Sequence, residues 1–413
     1  MLYNDETINV DKNVAIVGQS QDKTIINGNG TSLFSIDNQI SVDIANLTIT
    51  NCQGENDNFG GAISNKGTLT VTNVSFIANS AKGAGAIDNS GKLTVISCYF
   101  ANNKATGHDA GAISNFGSLS VVNSVFINNS AFRNAGAIKN QESKLFTITG
   151  SSFIGNFASG SKKGSYGGAV YSWMASMIIK DSEFINNYAI DKAGAIYISG
   201  GNKGDLVTLE ATGLTFINNT GKLGGAIYTE SANSKIEYNV FVNNSPNTVY
   251  NNTGFKGEVS VNNNWWGNNT PNWTTLLYNV DVPEKFAVLN IIAEMSGNDS
   301  KIIAKLYWNG TDSQKNIGNI SARTINLSVA DAILNPSSGI FENGVFTSIF
   351  KADKAGTYTV TAVVDNEVQS INITVVDKSV VLTVPNVVKY FMGNESLVAN
   401  LVDAEGNPVV GVN

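Results

Sequence analysis

"GGAISNKGTLTVTNVSFIANSA", residues Gly60–Ala81, returns one unit later as "AGAIDNSGKLTVISCYFANNKA", residues Ala84–Ala105. Two markers keep the register. One is G-A-[IV], at Gly61, Gly85, Gly111, Gly136, Gly168, Gly194 and Gly225. The other is F-x-x-N, with Phe76, Phe100, Phe126, Phe153, Phe184, Phe216 and Phe241 each followed three residues later by Asn79, Asn103, Asn129, Asn156, Asn187, Asn219 and Asn244. Successive glycine markers stand between 24 residues (Gly61 to Gly85) and 32 residues (Gly136 to Gly168) apart. A self-similar period of this size is the signature of a solenoid.

Inside a unit, "GTLTVTN" alternates apolar Leu69 and Val71 with Thr68, Thr70 and Thr72, the period of a β-strand. "VSFI" turns Phe76 inward, and "GAIS" turns Ala62 or Ile63 inward beside a glycine. Three such short strands, separated by Asn and Gly turns, cannot cover their own inner faces. Stacked coil on coil, they can. The expectation is a parallel β-helix in which each Phe lies on the Phe of the next coil and each Asn bonds to the next Asn, as in cross-β ladders. The marker glycine lets neighbouring backbones approach where a Cβ would clash. Helical periodicity is absent, which rules out ankyrin, TPR and leucine-rich repeats.

Composition agrees. Of 413 residues only 14% are charged, against the usual quarter, and Gly contributes 40. A net charge of −7 with two arginines, Arg133 and Arg323, argues against nucleic acid, which wants a basic face. No run of eighteen apolar residues spans a membrane in this chain. "MLYNDETINV" has neither the basic head nor the apolar stretch of a signal peptide, so the chain is expected to lie inside a longer protein. Cys52 and Cys98 fall at different repeat positions and read as small buried apolar residues, with a disulfide as the alternative. His108, in the polar insertion "ATGHDAG", reads as a solvated loop residue.

These markers resemble the repeats of polymorphic outer-membrane proteins and the related adhesin-like proteins of methanogenic archaea. The first coils, "INVDKNVAIVGQSQDKTIINGNGTSLFSI", are similar to the opening of the pectin-lyase-like right-handed β-helix superfamily. The resemblance covers about residues 1–270 and implies a cell-surface, extracellular protein that attaches to a polysaccharide or protein on another cell.

The helix is expected over 1–275, closed by "VNNNWWGNNTPNW", whose Trp265 and Trp266 would cover the last apolar layer; a tryptophan pair stacked on a sugar is the alternative. Residues 280–378 read as an Ig-like β-sandwich, all alternating strands and Gly or Asn turns. "AGTYTV" there resembles the late strand of bacterial Ig-like modules, with Tyr358 as a tyrosine-corner residue. Residues 379–413 read as the start of a further module.

Chemistry was sought at the outward position after G-A-[IV]. It runs Ser64, Asp88, Ser114, Lys139, Tyr171, Tyr197, Tyr228, so aligned coils offer no carboxylate pair of the kind glycoside hydrolysis needs. Asp181 and Glu183 sit in one coil without partners in the aligned coils. No metal site, cofactor or catalytic residue is expected, and the competing reading is a carbohydrate-active β-helix enzyme. The change to tyrosine is the one functional pointer. Tyr171, Tyr197 and Tyr228, with Trp173 nearby and Tyr166 just before the glycine, would form an exposed aromatic strip for a sugar or a protein; mutual stacking is the alternative. The chain is expected to be a monomer.

Overall fold

Each repeat folds into one coil because its strands pair residue for residue with the same strands of the next repeat. The computed structural model describes residues 2–3, 6–54, 60–143, 145–160, 164–201, 205–252, 254, 256–296, 299–310, 317, 320–376, 381–383, 400–402 and 406–408. Over the repeats these form a parallel β-solenoid of about ten turns. Ile63 pairs with Ile87 and Ile87 with Ile113; Leu69 with Leu93; Phe76 with Phe100 and Phe100 with Phe126, all in parallel register. The G-A-[IV] strands build an 11-stranded sheet, the longer alternating and Phe strands an 18-stranded one, and two-residue strands such as Ser80–Ala81 a 5-stranded one.

The asparagine pair of the repeat divides its labour. The first member, at Asn102, Asn128, Asn186, Asn218 and Asn243, takes a left-handed φ of 52–56°, which Asn tolerates better than other side-chain-bearing residues. The second turns inward and is buried. Asn129 shows its work: its Nδ2 donates to Asn156 Oδ1 at 3.0 Å and to the carbonyl of Phe100 at 2.9 Å, and its backbone N–H donates to Asn156 Oδ1 at 3.0 Å. The pattern repeats from Asn79 to Asn219, and Asn244 closes it as the last acceptor. A second ladder went unread in the sequence. Asn65, Asn89, Asn115 and Asn140, just after the outward position, are buried and joined Nδ2 to Oδ1 at 2.5–2.7 Å.

The phenylalanines form one column. From Phe76 to Phe241, ring centroids lie 4.7–5.1 Å apart with interplanar angles of 2–13°. The marker glycines explain how coils come so close: a Cβ on Gly85 would lie 1.9 Å from the Gly111 carbonyl oxygen, and one on Gly111 1.9 Å from that of Gly136.

At the end of the array Trp266 stacks on Phe241 at 4.8 Å, and Trp273 meets Trp266 edge-on at 5.4 Å. Trp265 faces away from that column, since adjacent strand residues point to opposite sides. It is fully buried and its indole N–H donates to Asp365 at 2.7 Å. Only one of the two expected capping indoles therefore covers the phenylalanine column. Cys52 and Cys98 are free and buried, and burial pushes their thiols up to about 12 and about 11.

The chain divides into two compact units. The first comprises Met1–Leu289 with Leu306–Arg323 and Asp365–Glu367; the second comprises Asn290–Lys305, Thr324–Val364 and Val368–Asn413. Later in the chain the sheets are antiparallel. Asp299–Trp308 pairs with Val345–Lys351 and the latter with Ile333–Asn335; Thr324–Ser328 pairs with Ser338–Ile340 and Gly356–Val364. The Tyr358 hydroxyl donates to the Lys354 carbonyl at 2.8 Å. Of the expected further module at 379–413, Val381–Thr383 pairs antiparallel with Asn400–Val402, and most of the remainder lies outside the described residues. Among the described residues no helix is long and apolar enough to cross a membrane.

Candidate functional site

The outward position after G-A-[IV] becomes a column on the outer face of the 11-stranded sheet. Ser64, Asp88, Ser114, Lys139, Tyr171, Tyr197 and Tyr228 stand opposite one another on successive strands, and Tyr250 and Tyr278 continue the row. The column has two halves with different surroundings.

The tyrosine half is closed at Tyr197 and Tyr228, partly covered at Tyr171 and Tyr250, and exposed at Tyr278. Rings of Tyr171, Tyr197, Tyr228, Tyr250 and Tyr278 stack at 4.2–5.3 Å, with Tyr166 placed 5.0 Å from Tyr197. Tyr197 is only 4% exposed and Tyr228 only 1%, so the expected exposed strip is covered at those two residues, while Tyr171 and Trp173 are half-buried. The cover is Lys192, whose Nζ lies 4.6 Å from the Tyr228 ring centroid and 5.1 Å from that of Tyr166, a cation over aromatic faces. Leu223 packs against the same cluster. Lys192 also pairs with the buried Glu230 at 3.4 Å. The same carboxylate accepts hydrogen bonds from the hydroxyls of Tyr197 and Tyr228, from Ser199 and from Asn252 at 3.1–3.5 Å. Trp173 belongs to the neighbouring column, in register with Gln141 and Ser199. Burial, reinforced by the Glu230 charge, pushes the Tyr197 and Tyr228 hydroxyls well above the ordinary phenol value. These tyrosines are neutral donors packed into a wall.

The polar half is open. Ser64, Asp88, Ser114 and Lys139 form the floor of a cleft of about 650 Å³. One wall comes from the loops before the G-A-[IV] marker, with His108, Asp109 and Arg133. The other comes from the residue between the second Asn ladder and the following glycine, namely Lys66, Ser90 and Phe116. Asp109, 7% exposed, pairs with Lys139 at 3.0 Å and Arg133 at 3.4 Å and accepts the Asn134 backbone N–H at 3.2 Å. The Arg133 guanidinium lies 3.0 Å from His108 Nδ1. Lys139 stands 5.0 Å above the Phe116 ring, which is 44% exposed. Burial pushes the Asp88 carboxyl up to about 6, against the opposing pull of its Ser114 hydrogen bond and the Lys139 charge.

Asp88, in sequence an outward acid without an aligned partner, and His108, in sequence a solvated loop residue, line one cleft in the fold. A signal was there. His108 and Asp109 sit three and two residues before Gly111, and Arg133 and Asn134 hold the same offsets before Gly136. Two insertions at one offset must stack, and the Arg133 backbone N–H does donate to the His108 carbonyl at 3.0 Å. Among the described residues no group of three or more His, Cys, Asp or Glu side chains could hold a metal ion.

The fold and this lateral face define a parallel β-solenoid with an open polar groove and a closed aromatic wall on one side. In comparisons, the family model of the Chlamydia polymorphic membrane protein repeat matches residues 213–230. That stretch holds one copy of both markers, Phe216 to Asn219 and Gly224 to Ile227. No curated protein and no solved structure matches the chain. The repeat match and the solenoid together fit a β-helix of the polymorphic membrane protein type.

Proposed function

We propose that this chain is the exposed part of an adhesin-like cell-surface protein. The solenoid is its rigid rod, and attachment runs through the rod's lateral face to a polysaccharide or protein on another cell. The observation that carries this reading is the polymorphic membrane protein repeat at 213–230, set in a stack of like coils. The antiparallel sheets beyond the solenoid serve in this reading as Ig-like stalk modules of the kind found beside archaeal adhesin-like repeats. The protein acts outside the cell as a monomer, with no cofactor, and works by contact. Surface labelling of intact source cells with an antibody against the solenoid tests location. Saturable binding of the purified chain to intact cells, lost on heat unfolding, tests attachment. Labelling only after permeabilisation, or binding no better than the unfolded chain, would overturn the reading.

A second reading is a carbohydrate-active enzyme. It draws on Asp88, protonated up to about pH 6, sharing a cleft with the ion-paired Asp109, because unequal carboxylates are what acid–base hydrolysis needs. Release of reducing ends or unsaturated products from a polysaccharide panel, lost in Asp88→Asn, would establish it.

A further inference from the structure

We infer that the cleft over Ser64, Asp88, Ser114 and Lys139 is a binding site for a neutral, hexose-based saccharide chain, with Phe116 as the ring platform. The inference extends the surface reading above, resting on it only for the expectation that this face meets a ligand outside the cell.

Four observations converge. The cleft's size, about 650 Å³, falls within the range of small-ligand sites, about 300–1,000 Å³. Its floor repeats a polar group on each successive strand, roughly 4.8 Å apart, so donors and acceptors recur along the solenoid axis as hydroxyls recur along a saccharide. Its rim presents one exposed aromatic ring among polar groups; Lys139 stands 5.0 Å from its centroid on one side, and the ring surface left exposed suits the apolar face of a sugar while its neighbours take the hydroxyls.

The fourth is charge. Asp109 is already matched by Lys139 and Arg133. The cleft is then lined by the Ser64 and Ser90 hydroxyls, the Asp88 carboxyl with its Ser114 hydrogen bond, the Lys66 ammonium, and the half-exposed Arg133 guanidinium held by Asp109 and His108, so charges of both signs are interspersed along it. A polyanion would have to compete with Asp109 for its two cations. A nucleic acid would also meet a chain of net charge −7. Around Tyr197 and Tyr228 the same column offers no such cleft, because stacked rings fill the space above the strands.

The test is calorimetric titration of the full chain with tetrasaccharides of glucose, mannose and galactose, and with a uronic-acid tetramer. Phe116→Ala and Asp88→Asn are the site variants. Phe157→Ala removes an exposed ring of the 5-stranded sheet and serves as control. We expect at least one neutral tetramer to bind, with a loss of about tenfold or more in each site variant and none in Phe157→Ala. Phe116 is exposed, so its variant remains informative even where Asp88→Asn perturbs folding. Failure of every neutral tetramer to bind, binding of the uronic-acid tetramer alone, or parental affinity in Phe116→Ala would each overturn the assignment. Attachment to cells that survives Phe116→Ala would remove this site and leave the surface reading intact. Saccharide binding without cell attachment would do the reverse.

Discussion

Set side by side, the two halves of the outer column share a backbone and differ in almost everything else. Ser64 to Lys139 and Tyr171 to Tyr278 occupy equivalent places on one sheet, in continuous parallel register. In the first half short polar side chains leave space between two walls, and a cleft results. In the second, rings fill the same space; Lys192 and Leu223 pack on the cluster around Tyr197 and Tyr228, Glu230 takes the hydroxyl hydrogen bonds of those two, and the row reaches solvent at Tyr278. The ladder sets where side chains stand. Their volume, and what the neighbouring loop lays across them, sets whether solvent reaches them. A solenoid can therefore change from open cleft to filled wall within one coil while its backbone pairing continues unbroken.

Substitutions ordered by size can break or sharpen this contrast. Inside the stack, Phe126→Ala should cost about 3–5 kcal/mol, since the ring is fully buried between two others. Tyr228→Ala on the outer face should cost nearly as much, about 2–4 kcal/mol, because that half behaves as core. Chemical denaturation measures both, and a Tyr228 cost near zero would erase the difference between the halves. Asn129→Ala should cost about 1–3 kcal/mol by stranding the Phe100 carbonyl and interrupting the ladder.

The polar half should answer to pH. The folded state holds the Asp88 proton more tightly than the unfolded chain, whose carboxyl sits near 3.8. That contribution is fully present below pH 3.8 and disappears as pH rises through about 6. Asp88→Asn should match the parent near pH 3.5 and exceed its stability by about 1–2 kcal/mol at pH 7.5, a shift discounted for the openness of the cleft. A stability difference that does not change with pH would place Asp88 in an environment no different from water. At the small end, Phe116→Ala should change stability by less than about 0.5 kcal/mol, as a rim residue should. A larger loss would make Phe116 packing and weaken its case as a platform.

Much of this architecture could be read before any coordinates. The seven Phe and seven Asn positions recur in phase, and a period that brings like residues back to the same strand position can only stack them. The second ladder, from Asn65 to Asn140, is equally legible, since each Asn directly follows the outward position in four successive units. Tyr250 and Tyr278 were harder. They follow no G-A-[IV] marker, and their places in the tyrosine row come from strand pairing alone. Trp265 and Trp266 looked like one capping pair, yet the alternation of side chains along an extended backbone sends only Trp266 onto Phe241.

Periodicity is a one-dimensional property, and the coil, its pitch and its inward columns were settled by it because each of those depends only on what recurs. Exposure is not periodic. Whether Tyr228 meets water depends on Lys192, from the loop before the marker glycine, and on Glu230, two residues on in its own strand; whether Asp88 lines a cleft depends on Asp109 and Arg133, from the loops of neighbouring coils. Equal offsets from the marker glycine bring such residues to the same level of neighbouring coils, but whether their side chains pair, cover a ring or leave a cleft is decided by their volumes and charges in space.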